Sequence, residues 1–300
     1  MFTFALLPSN RSLTPAWATR RLRPLPHWLA IALLALAGTA SAQIGLGLAP
    51  MREELNLAPG AAHSSVLTLA NTGGDKVRIM AEVLDFYLDS MATPQFGRAY
   101  PQEAEFSCKQ WLTANPMEME LNGKSQIPVR YTVRVPAAAT ARSYHCAIGF
   151  TTQPTPDDLK RNPIGLRTAV QIVAAIYVVV GQPALDARIQ DLRMEYAGGD
   201  PSNAGWRAVV TFHNAGLMHF RPTGDLEIMD AHGAVLETVH LVPLPVLPKR
   251  DQSFVLPLKL TGVTGPYTLR ARVDLGGDEI QEATAFVDPS ALVAAAKPHP

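Results

Sequence analysis

Two cysteines in 300 residues are too few for a disulfide framework to stand in for a hydrophobic core, or for a Cys-rich metal module. Charge is also scarce, at 17% of residues, against a hydrophobic fraction of 47%; that balance excludes a disordered chain. The 26 basic residues equal the 26 acidic ones, so there is no basic surplus to neutralise phosphates and nucleic acid is not an expected partner. Motifs for chemistry are missing too. No Gly-x-Ser-x-Gly elbow and no Gly-x-x-x-x-Gly-Lys loop occurs, and Gly45-x-Gly47 is too short to cradle a phosphate. His213 and His219, and His232 and His240, come near each other without the Cys, Glu or Asp that zinc spacing requires. The adjacent pairs Glu53-Glu54 and Asp157-Asp158 would point to opposite faces of a strand. No catalytic residue, cofactor or metal is therefore expected, and the chain reads as a non-enzymatic protein.

What is present begins with an export signal. Arg20, Arg21 and Arg23 precede the apolar run Trp28 to Ala37, which ends at Ala40-Ser41-Ala42. Cleavage is expected before Gln43, with residues 1–42 as signal peptide. The run is shorter than the ~20 residues a spanning helix needs, and no later stretch reads as stop-transfer, so no membrane span is expected after cleavage. Loss of four arginines and no acid leaves 22 basic against 26 acidic residues, a net of −4. The expected location is the periplasm, with cell surface or secretion as alternatives. There Cys108 and Cys146 could pair, which would contribute on the order of 3–4 kcal/mol in the chain-entropy model; two separate buried thiols are the alternative.

Beyond residue 43, short stretches rich in Val, Ile, Leu, Thr and Tyr alternate with clusters of Gly, Pro, Asn and Asp, as in all-β sandwiches. In the first half strands are expected near Ile44–Leu57, His63–Ala70, Val77–Leu88, Phe106–Leu112, Ile127–Val135, Tyr144–Thr151 and Leu166–Val180. Val129 to Val135 alternates β-branched residues with Arg130 and Arg134, so one face meets water. Val170 to Val180 is almost wholly apolar: either both its faces are buried, or it presents an apolar row for something to cover. Gly181-Gln182-Pro183 ends it. Strands follow near Leu185–Tyr196, Trp206–His213, Thr223–Met229, Val235–Leu241, Ser253–Leu260, Tyr267–Asp274 and Glu279–Val287. The fold expected is all-β, two tandem immunoglobulin-like sandwiches over residues 43–181 and 184–288, with a mobile tail over 289–300. Trp111 and Trp206 are read as core anchors. His219 and Arg221 share a parity, and either form a polar pair at a loop mouth or include a satisfied structural histidine.

Several segments carry a resemblance. Ala58-Pro59-Gly60-Ala61-Ala62 leads to Val66-Leu67-Thr68-Leu69-Ala70-Asn71-Thr72-Gly73; Trp111 to Pro116 leads to Leu121-Asn122-Gly123-Lys124-Ser125, then to Val129–Pro136 and Tyr144–Phe150. In that order they resemble the first domain of PapD-like periplasmic pilus chaperones. Asn214-Ala215-Gly216 through Gly224, with Ile228 to Gly233, resembles the second domain. Similar patterns occur in bacterial surface proteins that partner WxL domains. The resemblance implies capture of an incomplete pilin-like or surface subunit by β-strand pairing, in which alternating apolar side chains fill the subunit's open core. Ile164, Leu166, Val170 and Ile172 share the parity such donation requires; packing the home core is the alternative. It also implies a carboxylate anchor made by an arginine of the first strand and a lysine of the last. Arg52 stands where that arginine would be, unless it makes only a surface salt bridge. No lysine lies between Arg167 and Pro183, and Tyr177 and Val178 stand near its place, which puts an usher pathway in doubt. A structural or adhesive cell-surface module is the alternative function.

Overall fold

A computed structural model describes residues 45–154, 169–197, 205–260 and 265–288. Over these the regular secondary structure is almost all strand. The first sandwich holds β1 (Leu46–Ala49), β2 (Arg52–Leu57), β3 (Ala62–Asn71), β4 (Val77–Leu88), β5 (Pro94–Gly97), β6 (Leu112–Asn115), β7 (Glu118–Leu121), β8 (Ser125–Arg134), β9 (Arg142–Gln153) and β10 (Gln171–Val180). One sheet runs β1-β3-β8-β6. The other runs β2-β10-β9-β4-β5, with β7 also paired to β4. The second sandwich packs β11 (Ala187–Ala197), β12 (Gly205–Asn214) and β15 (Arg250–Pro257) against the sheet β14-β13-β16-β17, formed by β13 (Thr223–Met229), β14 (Val235–His240), β16 (Tyr267–Asp274) and β17 (Ile280–Val287). Both sandwiches belong to one compact unit, and no helix among the described residues is long and apolar enough to cross a membrane.

Alternation decides which face each strand buries. In β8 the side chains of Val129, Tyr131 and Val133 are fully buried while Arg130 and Arg134 are exposed, because successive residues point to opposite faces. Leu67 and Leu69 of β3 meet them from the neighbouring strand. The first core is closed from the other sheet by Ile148, Phe150, Ala174, Ile176 and Val178. The second is built on Trp206, Phe212, Leu226, Ile228, Phe254 and Leu269. Trp206 is buried there, whereas Trp111 is only partly buried and lies against Tyr144 at 4.3 Å between ring centroids.

The expected strand Ile44–Leu57 is two strands. Pro50 lacks an N–H, so the ladder of β1 with β3 ends at Ala49, and the chain crosses to the opposite sheet, where β2 pairs in parallel with β10. The stretch expected as strand Phe106–Leu112 is instead two short 3-10 turns, Pro101–Phe106 and Lys109–Trp111, ahead of β6. Its apolar residues Phe106, Cys108, Trp111 and Leu112 do not alternate, and a disulfide holds Cys108 over β9.

Asn-x-Gly occurs at one corner of each sandwich, and both asparagines are buried. The Asn71 side-chain amide donates to the carbonyls of Asp75, Leu121 and Asn122, and its oxygen accepts from the Gly73 N–H. Asn214 repeats this with the carbonyls of Met218, Val246 and Leu247 and the N–H of Gly216. Each satisfies backbone groups that a buried loop would otherwise leave unpaired.

Candidate functional site: the open edge of β10 and the cleft between the sandwiches

The last strand of the first sandwich has one bare edge. β9 pairs with all of β10, from Gln171 to Val180, but β2 pairs only with Ala175 to Val180. Among the described residues, Gln171 to Ala174 therefore have a strand partner on one side only. Even-numbered residues of β10 face the home core: Ile172 packs partly buried against it, and Ala174, Ile176, Val178 and Val180 lie within it. Odd-numbered residues face outward, where Val173, Ala175 and Tyr177 join a small cluster with Phe86, Leu88 and Leu247 of the second sandwich. Both faces of the strand are thus buried from Ile176 onward, while Val173 and Ala175 on the outward face are only partly buried. Val170 is half-buried, with its N–H donating to Thr152 Oγ1 and its carbonyl accepting from the Thr152 N–H. Ile164 and Leu166 lie outside the described residues.

Arg52 opens β2 opposite Ala175, half-exposed, with Nε 3.9 Å from Glu54 Oε1. Two residues on, Glu54 lies opposite Tyr177 and reaches the second sandwich. His219 Nε2 is 2.9 Å from Glu54 Oε2, and Arg221 Nε donates to Glu54 Oε1 at 3.0 Å. The Ser143 hydroxyl holds the histidine from behind, 2.9 Å from Nδ1, and also accepts from its backbone N–H. The Arg221 guanidinium sits 4.8 Å above the Tyr177 ring, and the His219 ring is 5.0 Å from it. His219 and Arg221, alike in parity, are brought together on one carboxylate. Sequence reasoning did not join Glu54 to them, since the partners are more than 160 residues apart.

A second cluster crosses the same interface. Glu103, in the first 3-10 turn, is 3% exposed, and Arg250 Nη2 donates to both of its oxygens at 2.8 Å. His145 of β9, equally buried, places Nε2 3.4 Å from the carboxylate and its ring edge-on to Phe86 at 4.9 Å. Sequence offered no signal for this trio. The Gln252 amide donates to the Asp89 carbonyl nearby, and Ala92 packs into the second core. Cys108 and Cys146 are joined in a disulfide, with Cα atoms 5.2 Å apart, which ties the segment carrying Glu103 to the strand carrying His145. Among the described residues no group of three or more His, Cys, Asp or Glu could hold a metal ion.

These groups make the interface sensitive to acid. Burial would raise the carboxyl pKa of Glu54, but hydrogen bonds and charge from His219 and Arg221 outweigh it and hold it below 4.5. Glu103 is likewise pushed up by burial and brought below 4.5 by His145 and Arg250. Burial pulls His145 below 6.5 and keeps it neutral, although Glu103 opposes that. For the glutamates the stabilisation is complete above the unfolded-state value and lost as pH falls through the folded one. For His145 the unfolded chain takes up a proton below about 6.5 that the folded chain refuses, so stability again falls with pH. Melting temperature should therefore decline from pH 7.5 to 5.5 and more steeply near pH 4; a value that is flat or rising over that range would contradict the assignment.

No family model matches the chain, and neither does any curated protein. Solved structures do. The class 5 fimbriae chaperone CfaA is similar at 10% identity and a TM-score of 0.41, over 81% of this chain and 98% of that one. The CsuC-CsuE chaperone-tip adhesion subunit pre-assembly complex from archaic chaperone-usher Csu pili of Acinetobacter baumannii is similar at 7% identity and 0.40, over 80% and 97%. The Pseudomonas aeruginosa CupB2 chaperone is similar at 12% identity and 0.37, over 81% of this chain and all of that one.

Proposed function

We propose that this chain is an exported, non-enzymatic protein-binding protein, a periplasmic chaperone-like factor for pilus or surface-subunit assembly, whose two domains meet at Gly181–Pro183. It engages its partner, a pilin-like or other exported subunit, by β-strand pairing. The observation that carries this reading is the bare edge of Gln171 to Ala174, in a strand that is paired on both sides from Ala175 onward. Unpaired N–H and C=O groups on an edge are a template for a further strand. The parity of Ile172 continues back through Val170, Leu166 and Ile164, and these upstream residues are the ones proposed to reach the partner, since Ile172 itself serves the home core.

Arg52 lies where an added strand would end. Ala175 stands opposite Arg52, and β10 has no lysine to complete a carboxylate anchor beside it. Val170→Asp tests the reading: a partner that co-purifies from periplasm should be lost, while circular dichroism and melting temperature stay near those of the parent. An unchanged set of co-purifying proteins would sink it. Labelling of the protein on intact cells would favour a structural or adhesive surface module instead.

A further inference from the structure

An apolar cavity of about 450 Å³ opens beside the bare edge, lined by Met51, Phe96, Val173, Ala175, Tyr177 and Leu244 among others. Its size falls within the range of sites that take a small ligand or a side chain. Its cause is visible in the sequence. Ala175 is small and sits on the outward parity of β10, while the segment between β14 and β15 brings Leu244 over the gap. The same residues, Val173 and Ala175, belong to both the edge strand and the cavity.

Any strand laid along Gln171 to Ala174 meets Met51 at its end, because β2 occupies the same edge from Ala175 onward. A side chain of that strand beside Val173 on the outward face points at this cavity, whose floor continues to Ala175. No charged residue lines it. Of the cations on this side, Arg221 is engaged by Glu54, the Pro243 carbonyl and the Tyr177 ring, and Arg52 stands half-exposed 3.9 Å from Glu54. Taking Arg221 from Glu54 would leave that carboxylate with His219 alone, so a second carboxylate gains little there.

Resting on the strand-pairing reading above, we infer that the cavity is an end pocket for one large apolar side chain of the partner, and that the partner's strand is anchored by this side chain rather than by a terminal carboxylate. The partner class is then an extended segment with an aromatic or long aliphatic residue near its end, charged terminus or not.

The test uses the full processed chain and synthetic ten-residue peptides of alternating Val and Thr, with a single Phe moved through the last four positions, each made as free acid and as carboxamide. Binding should peak at one Phe position and fall at least tenfold when that Phe becomes Ser, while acid and amide agree within about twofold. Leu244→Asp, on an exposed part of the roof, should abolish the preference for Phe without changing the melting temperature. Ala175→Leu, which fills the floor, should do the same if it folds. Binding with no preferred Phe position, or acids at least tenfold tighter than amides, overturns the end pocket alone. Failure of every peptide to bind overturns the strand-pairing reading, and the pocket with it.

Discussion

Arg250→Met should lower unfolding stability by roughly 3–5 kcal/mol, the range seen when one partner of a buried ion pair is removed. Glu103 is 3% exposed, and its two oxygens share the Arg250 Nη2. Without that cation only His145 remains close, and burial then pushes the carboxyl pKa upward against that one remaining partner. The loss should accordingly shrink in mild acid, where the stranded carboxyl takes up a proton. Glu103→Gln in the same chain should recover much of it, because a neutral amide replaces the uncompensated charge. Glu103 belongs to the first sandwich and Arg250 to the second, so the variant should also convert one cooperative denaturant transition into two. A change below 1 kcal/mol, or no rescue by the double variant, would show that the pair is solvated in solution.

The sequence reported the strands well wherever one face meets water. Val77–Leu88, Thr223–Met229 and Tyr267–Asp274 were expected and observed with the same ends, and the Val-Arg alternation of β8 named its buried face outright. It reported poorly where covering came from a distance. Val170 to Val180 leaves two readings open, and contacts from Leu247, His219 and Arg221 around Tyr177 decide for burial on both faces from Ile176 on. Those contacts join residues far apart in the chain, and no local period encodes them. Pro94–Gly97 and Glu118–Leu121 are strands of four residues each, too short to show a period. The strand expected over Phe106–Leu112 is absent because its apolar residues are spaced for docking on β9 rather than for a ladder.

The site was half legible for a related reason. Arg52 was noticed for its place in a strand order, and His219 with Arg221 for a shared parity. Glu54, which joins them, reads in the sequence only as one of two adjacent acids on opposite faces of a strand. In a strand, adjacency separates two side chains: Glu53 and Glu54 do point apart, and only Glu54 faces the second sandwich.

Replacing both cysteines by alanine should cost about 4 kcal/mol. The bridge closes a loop with a sequence separation of 38, and the chain-entropy model gives that magnitude for such a loop at room temperature. Both sulfurs are fully buried, so a reductant should act on the folded chain only as fast as it opens. The larger consequence is positional. The Cys108 N–H donates to the His145 carbonyl, one residue before Cys146, and the turn carrying Glu103 precedes Cys108 by a few residues. Without the bridge that turn is held to β9 only by non-covalent contacts, among them the Arg142–Glu105 ion pair and Arg142 over the Phe106 ring, and Glu103 can reach water more readily. The cost of Arg250→Met should then fall to less than half of its value in the parent, a coupling that a double-mutant cycle measures directly. If the two costs add instead, the bridge stabilises the first sandwich without positioning the Glu103 contact, and the two clusters are independent.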